Sequence, residues 1–253
     1  MKNFYYVFVI LMCCLLVCCK EKSNNEVIIT GQLEEVEDGV VMKLMIIGEG
    51  ELVDVQSDTI TNGNFSFCFA DTLNQPKQMI IMGEGEGFPP TWLDVWVVPG
   101  AEINITGKDK LIRSWEVNSV VPEQIELNKY NIRISQYEKI TQSIMRETFS
   151  YFDEINKYPE KSETLSAIID SLYAINDSIS RLTMETEITI MEENRTYSPV
   201  WMGKLERYAS SLKFTNLSEA YIEKIKLMYE GMSDELKSSK TGQAIQENLY
   251  SPL

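Results

Sequence analysis

Residues 58–67 read Asp58-Thr59-Ile60-Thr61-Asn62-Gly63-Asn64-Phe65-Ser66-Phe67. Asn-Gly between two stretches of alternating apolar residues marks a tight chain reversal, because a type I′ turn needs positive φ at both central positions. Two strands therefore meet at Asn62-Gly63. The flanking chain repeats the pattern. On the N-terminal side, Glu26–Leu33 alternates through Val27, Ile29 and Gly31, Glu34-Glu35-Val36-Glu37-Asp38-Gly39 forms a turn, and Val40–Ile47 is a strand closed by Gly48-Glu49-Gly50. Leu52–Gln56 and Asp58–Thr61 are extended. On the C-terminal side, Asn64–Phe69, Met79–Met82, Leu93–Val98 and Glu102–Thr106 follow, with a turn at Pro99-Gly100. Short strands at this spacing predict a sandwich or a barrel over residues 26–109, with the antiparallel β-sandwich the expected form.

From residue 110 to 253 the apolar period becomes helical. Pro122–Lys157 carries Ile125, Tyr130, Ile134, Tyr137, Ile140, Ile144, Phe152 and Ile155 mostly at helical spacing, and Tyr158-Pro159 ends that helix. Leu165, Ile168, Leu172, Ile175, Ile179 and Leu182 then step by 3 and 4, which predicts an apolar seam. A helical hairpin with the preceding helix is the favoured partner for that seam, and a second chain is the alternative. Ser198-Pro199 reads as an N-cap with proline at N1, Ser218 as the cap of Glu219–Tyr229, and Ser233 and Thr241 as the openings of short final helices. The fold class expected is α+β: an N-terminal antiparallel β-sandwich followed by a C-terminal all-α helical segment.

Ahead of these segments, Lys2 precedes an uninterrupted run of 14 apolar and aromatic residues, Phe4–Val17. A membrane-spanning helix needs about 20 such residues, so the run reads instead as a secretory leader. Its end, Leu16-Val17-Cys18-Cys19, resembles a bacterial lipobox, with Cys18 in the small-residue position usually held by Gly or Ala. The resemblance implies cleavage after residue 18 and a diacylglycerol thioether on Cys19. Residues 1–18 would be the lipoprotein signal peptide and 19–25 a polar tether. The chain would be held through its N-terminal lipid to a membrane of the cell envelope, the outer membrane, on its periplasmic face or at the cell surface. Anchoring through two or more acyl chains is stable, whereas one chain binds only marginally.

Composition removes whole classes of function. The net charge is −15, and residues 26–109 hold 15 acidic residues against 3 lysines. Such a body repels nucleic acid, so no nucleic-acid partner is expected. The chain has no histidine, which rules out His-based triads and His metal sites. Four of its five cysteines lie at 13, 14, 18 and 19, leaving Cys68 single, on the strand face opposite Phe67 and Phe69. No cofactor, metal site or catalytic residue is expected. Gly48-Glu49-Gly50 and Gly83-Glu84-Gly85-Glu86-Gly87 lack the phosphate-loop pattern and read as acidic turns, and the carboxylates at 34–38 lack calcium-loop spacing. A carboxylate pair acting as a hydrolase stays open as a weaker reading, since such pairs are recognised in space.

The motif at 58–67 resembles the Asp-Ser/Thr…Asn-Gly-x-Phe-x-Phe signature of a domain of unknown function that precedes thioredoxin-like (AhpC/TSA-type) domains in Bacteroidetes envelope lipoproteins. Val97-Val98-Pro99-Gly100-Ala101-Glu102-Ile103-Asn104-Ile105-Thr106-Gly107 is similar to its closing hairpin. Lipobox, β domain and helical segment follow one another in the same order over essentially the whole chain. No Cys-x-x-Cys follows Cys19, so the redox activity of the neighbouring domain does not carry over. Asp58-Thr59-Ile60, Asp71-Thr72-Leu73, Asp170-Ser171-Leu172 and Asp177-Ser178-Ile179 resemble the short O-glycosylation sites of envelope proteins in that group. With catalytic residue types absent, the expected function is a non-catalytic binding or scaffolding module of the envelope, accessory to a separately encoded thioredoxin-like partner.

One further face stands out. On an extended strand Trp92, Asp94 and Trp96 point to one side. Two tryptophans beside a carboxylate make a candidate ligand-binding platform for a glycan, which is the alternative function. Packing beneath the helical segment is the favoured reading, because tryptophan is usually largely buried.

Overall fold

A computed structural model describes residues 25–48, 50–71, 75–212 and 217–250. The expected anchor Cys19 and its leader lie outside the described residues. Strands come first: β1 (Glu26–Glu34), β2 (Val41–Gly48), β3 (Glu51–Thr59), β4 (Asn64–Ala70), β5 (Lys77–Glu84), β6 (Leu93–Val97), β7 (Glu102–Lys108) and β8 (Glu116–Asn118). Helices follow: α1 (Pro122–Lys157), α2 (Ser162–Glu193), α3 (Pro199–Ser211), α4 (Glu219–Glu230), α5 (Asp234–Ser238) and α6 (Lys240–Tyr250). The protein is α+β, with its strands before its helices.

The strands form two four-stranded sheets, ordered β4-β1-β7-β8 and β3-β2-β5-β6. Alternation drives this pairing. Val27, Ile29, Phe67, Ile103 and Ile105 face inward from the first sheet, and Met42, Leu44, Met79, Ile81 and Val95 from the second; none is more than 1% exposed. The first sheet is mixed rather than wholly antiparallel, because β1 and β7 run parallel with Ile29 opposite Ile103. The chain crosses from β6 in one sheet to β7 in the other through Pro99-Gly100, so β7 enters beside β1 without a hairpin between them. The three-residue β8 then extends the β layer past the expected boundary at 109, pairing Val117 with Ile105. It is too short to show a period.

Asn62 and Gly63 adopt φ values of 51° and 72°, as the chain reversal requires. However, β3 and β4 belong to different sheets, so this turn carries the chain between sheets instead of closing a hairpin within one. The exposed edge of β4 is met by side chains of β3. Asp58 Oδ2 accepts from the Ser66 N–H at 2.6 Å, and Gln56 Oε1 accepts from the Cys68 N–H at 2.9 Å. Cys68 is exposed, opposite Phe67, and its thiol donates to Glu26 Oε1. In the acidic turn, Glu35 and Glu37 pair with Lys108 and Lys110, and Asp38 accepts from the Gly63 N–H.

Helices α1 and α2 form the expected antiparallel hairpin, broken at Tyr158-Pro159. The predicted seam is only half right. Leu165 is buried, and Leu172 and Ile179 are half-buried, but Ile168, Ile175 and Leu182 are exposed. The row that packs runs Leu165, Ile169, Leu172, Asn176, Thr183 and Glu187. The exposed three lie on one side of the seam along its whole length, because α1 approaches from the side of Leu165, Leu172 and Ile179 and one helix covers only a narrow stripe. Ser198 caps α3 by accepting from the Trp201 N–H at 3.1 Å, with Pro199 at N1, and Ser233 caps α5. Ser218 occupies the cap position of α4 without a side-chain bond. The last helix opens at Lys240, with Ser239 rather than Thr241 as its cap, accepting from the Gly242 N–H. The helices cover the outer face of the second sheet, where Ile80, Trp96 and Gln124 are buried.

Candidate functional site

The site lies where that outer face meets α1, α2 and α3. Asp94 and Trp96 share one side of β6, and Trp92, just before the strand, lies with them. Trp96 is packed beneath the helices: its ring is 8% exposed, and its backbone N–H donates to Gln124 Oε1 at 2.8 Å. Gln124 in turn donates to Asn128, which donates to the Val117 carbonyl, so α1 is tied to both sheets. Trp92 is only half-buried. Its indole N–H donates to Asp94 Oδ1 at 3.1 Å, and the same oxygen accepts from Gln78 Nε2 on the neighbouring strand at 2.9 Å. Two donors thus hold one carboxylate oxygen, and the ring plane is set by that bond.

Opposite this wall, α2 and α3 contribute a buried ion cluster. Glu187 is 2% exposed; one oxygen accepts from Lys204 Nζ at 2.7 Å and the other from Arg207 Nη2 at 2.6 Å. Lys204 Nζ also sits 4.5 Å above the Tyr130 ring, and Arg207 reaches the Tyr208 hydroxyl at 2.9 Å. Burial alone would push the Glu187 carboxyl up, but the Lys204 and Arg207 cations hold it below the usual carboxylate range. Burial pushes the Lys204 ammonium below its ordinary value, against the pull of Glu187. The Tyr130 phenol is pushed well above its ordinary range, first by burial and then by Glu126 and Glu187. At the third corner, Arg113 sits in a 3-10 turn, Ile112–Ser114, whose backbone donates to Gln142 Oε1 at 2.9 Å. Its guanidinium reaches both oxygens of Glu138, at 3.1 and 3.3 Å.

Between these walls lie two adjoining cavities of about 300 and 230 Å³. Both are lined by Trp92, Asp94, Arg113, Leu127, Lys204 and Arg207. The larger also carries Glu138, Glu187, Thr183 and Tyr208; Trp96 reaches only the smaller. Its three carboxylates match its three cations, so the cleft is locally neutral in a chain of net charge −15. Ligand pockets start at about 300 Å³ and combine apolar walls with a few fixed polar groups. Here the polar groups are already tied to one another, which suits hydrogen bonding and ring stacking of a small neutral or zwitterionic molecule.

Of the sequence candidates, Trp92 and Asp94 line the cleft together and Trp96 is largely withdrawn beneath the helices. Sequence reasoning missed Arg113, Glu138, Glu187, Lys204 and Arg207. The available signals were an acidic residue in the packing row of α2, and two cations three residues apart on α3. Among the described residues no helix is long and apolar enough to cross a membrane, and no group of three or more His, Cys, Asp or Glu side chains is placed to hold a metal ion. Comparison with protein-family models, with curated proteins and with solved structures finds no match for this chain.

Proposed function

We propose that this chain is a non-catalytic, lipid-anchored module of the cell envelope, tethered through Cys19, that binds a small polar ligand in the cleft between β6 and helices α1–α3. The observation that carries this reading is the half-buried Trp92 ring, fixed by Asp94 beside a neutral cleft of about 300 Å³. A saccharide suits such a wall, since its ring presents an apolar face to stack and hydroxyls for the surrounding carboxylates and guanidinium groups. The absence of histidine and the mutual pairing of the cleft's charges support binding over catalysis.

Tryptophan fluorescence tests the reading, because Trp96, Trp115 and Trp201 are 8%, 4% and 0% exposed and Trp92 alone is accessible. Titration of the full chain with neutral gluco- and N-acetylglucosamine oligosaccharides is expected to shift emission saturably, and Trp92→Phe to abolish the shift. No change with any of these sugars removes the saccharide reading.

The scaffolding reading, beside a separately encoded thioredoxin-like protein, is favoured by large apolar residues exposed elsewhere on the α1–α2 hairpin, among them Phe149, Phe152 and Tyr173. Crosslinking in intact cells followed by mass spectrometry tests it. Recovery of a thiol-disulfide protein supports the scaffold, and recovery of polysaccharide or transport machinery supports the cleft.

A further inference from the structure

The outward face of α2 carries an unbroken uncharged row: Thr164, Ile168, Ser171, Ile175, Ser178, Leu182 and Thr186, spaced by 4, 3, 4, 3, 4 and 4. Its large members recur every seven residues and are 38%, 50% and 39% exposed. Three of its four polar members have their hydroxyls already bonded to the helix itself. Ser171 and Ser178 donate to the Ala167 and Ala174 carbonyls at 2.9 and 3.1 Å, and Thr186 donates to the Leu182 carbonyl at 2.8 Å. Burying this row would therefore strand none of these three hydroxyl donors, which removes most of the usual penalty for covering polar groups. Seven-residue recurrence of Ile and Leu with small residues between is how one helix receives another.

We propose that this face pairs with the same face of a second copy of the chain, antiparallel about a two-fold axis at Ile175. Three features select that occupant. The row is nearly palindromic: a two-fold at Ile175 sets Ile175 on Ile175, Ile168 on Leu182 and Thr164 on Thr186, and brings Ser171 within one residue's rise of Ser178, so one surface is complementary to itself. One pair of charges beside the row also matches, against Glu185, which comes within two residues' rise of Glu163 in the other copy. Arg181 and Asp170 form no ion pair within the chain among the described residues, and the two-fold brings Arg181 within one residue's rise of Asp170 in the other copy, twice over. Lastly, the contacts of the hairpin with the sheets are made through α1, at Gln124 and Glu138–Gln142, and leave the outward row of α2 uncovered.

Cysteine crosslinking of the full chain in its membrane-anchored form tests the pairing, in a Cys68→Ser background with that background alone as control. Ile175→Cys is expected to yield a disulfide dimer of twice the mass under mild oxidation. Ile168→Cys and Leu182→Cys should each fail alone, because their own copies would lie 14 residues apart, roughly 21 Å. Co-expressed, those two should crosslink. Reversing one rim charge with Arg181→Asp should lower the Ile175→Cys dimer yield about twofold to fivefold, and adding Asp170→Arg should restore it. Absence of the Ile175→Cys dimer overturns the proposal. So does self-crosslinking of Ile168→Cys, which would mean parallel pairing, or adducts of Ile175→Cys with a different protein only.

Discussion

The sandwich and the helical hairpin spend similar numbers of apolar residues in different ways. In the sandwich, each inward side chain has a facing sheet, and Ile29, Phe67, Leu44 and Ile81 are wholly buried. In the hairpin, each helix has one neighbour along much of its length, so Ile132, Phe149, Ile168 and Ile175 remain 38% or more exposed. A helix needs contact over a wide arc to bury an apolar face, and one partner helix covers only a narrow stripe. The same residue type therefore has different worth in the two halves. The sandwich is the stable platform, and the hairpin presents surface.

Matched truncations probe that difference. Phe67→Ala in the sandwich should cost about 3–5 kcal/mol of unfolding free energy, read from urea midpoints. A loss under about 1 kcal/mol would mean that the two sheets do not share a close-packed core.

At the junction of the halves, Glu187→Gln should cost about 3 kcal/mol, because Lys204 would stay buried without its carboxylate. Combining it with Lys204→Met should recover most of that loss, since neither charge is then stranded. Acid should act on the same group. Glu187 titrates lower in the fold than its unfolded value of about 4.3, so the unfolded chain binds more protons between the two values. Its contribution is complete above the unfolded value and is lost as pH falls through the lowered folded one. The urea midpoint of the wild type should therefore fall more steeply than that of Glu187→Gln between about pH 5 and pH 3. Parallel curves would show that the cluster does not hold Glu187 ionised.

The smallest effect is expected on the hairpin. Ile175→Ala, measured at protein concentrations too low for self-association, should shift stability by less than about 1 kcal/mol. A cost like that of Phe67→Ala would show that the outward row is covered within a single chain.

The strand order along the chain, the reversal at Asn62-Gly63, the break at Tyr158-Pro159 and the cap at Ser198 were all legible in the sequence. Each depends on residues adjacent in the chain: a φ that only certain residues adopt, a missing N–H, a side-chain acceptor three positions away. The shared face of Trp92, Asp94 and Trp96 was legible for the same reason, because strand period is a local property. Three things were not local. Parallel pairing of β1 with β7 depends on where the chain crosses between sheets. The buried row of α2 depends on which side another helix approaches, so a regular seam of Ile and Leu was read half a face away from the one that packs. The cleft needs Asp94, Arg113, Glu138, Glu187 and Lys204 from five separate segments, and nothing in their spacing along the chain announces that they meet. Sequence by itself determined the elements and where they start and stop, since backbone conformation is chosen over a few residues. Only the tertiary structure decided which faces are covered and which charges answer one another, since burial and ion pairing depend on what approaches through space.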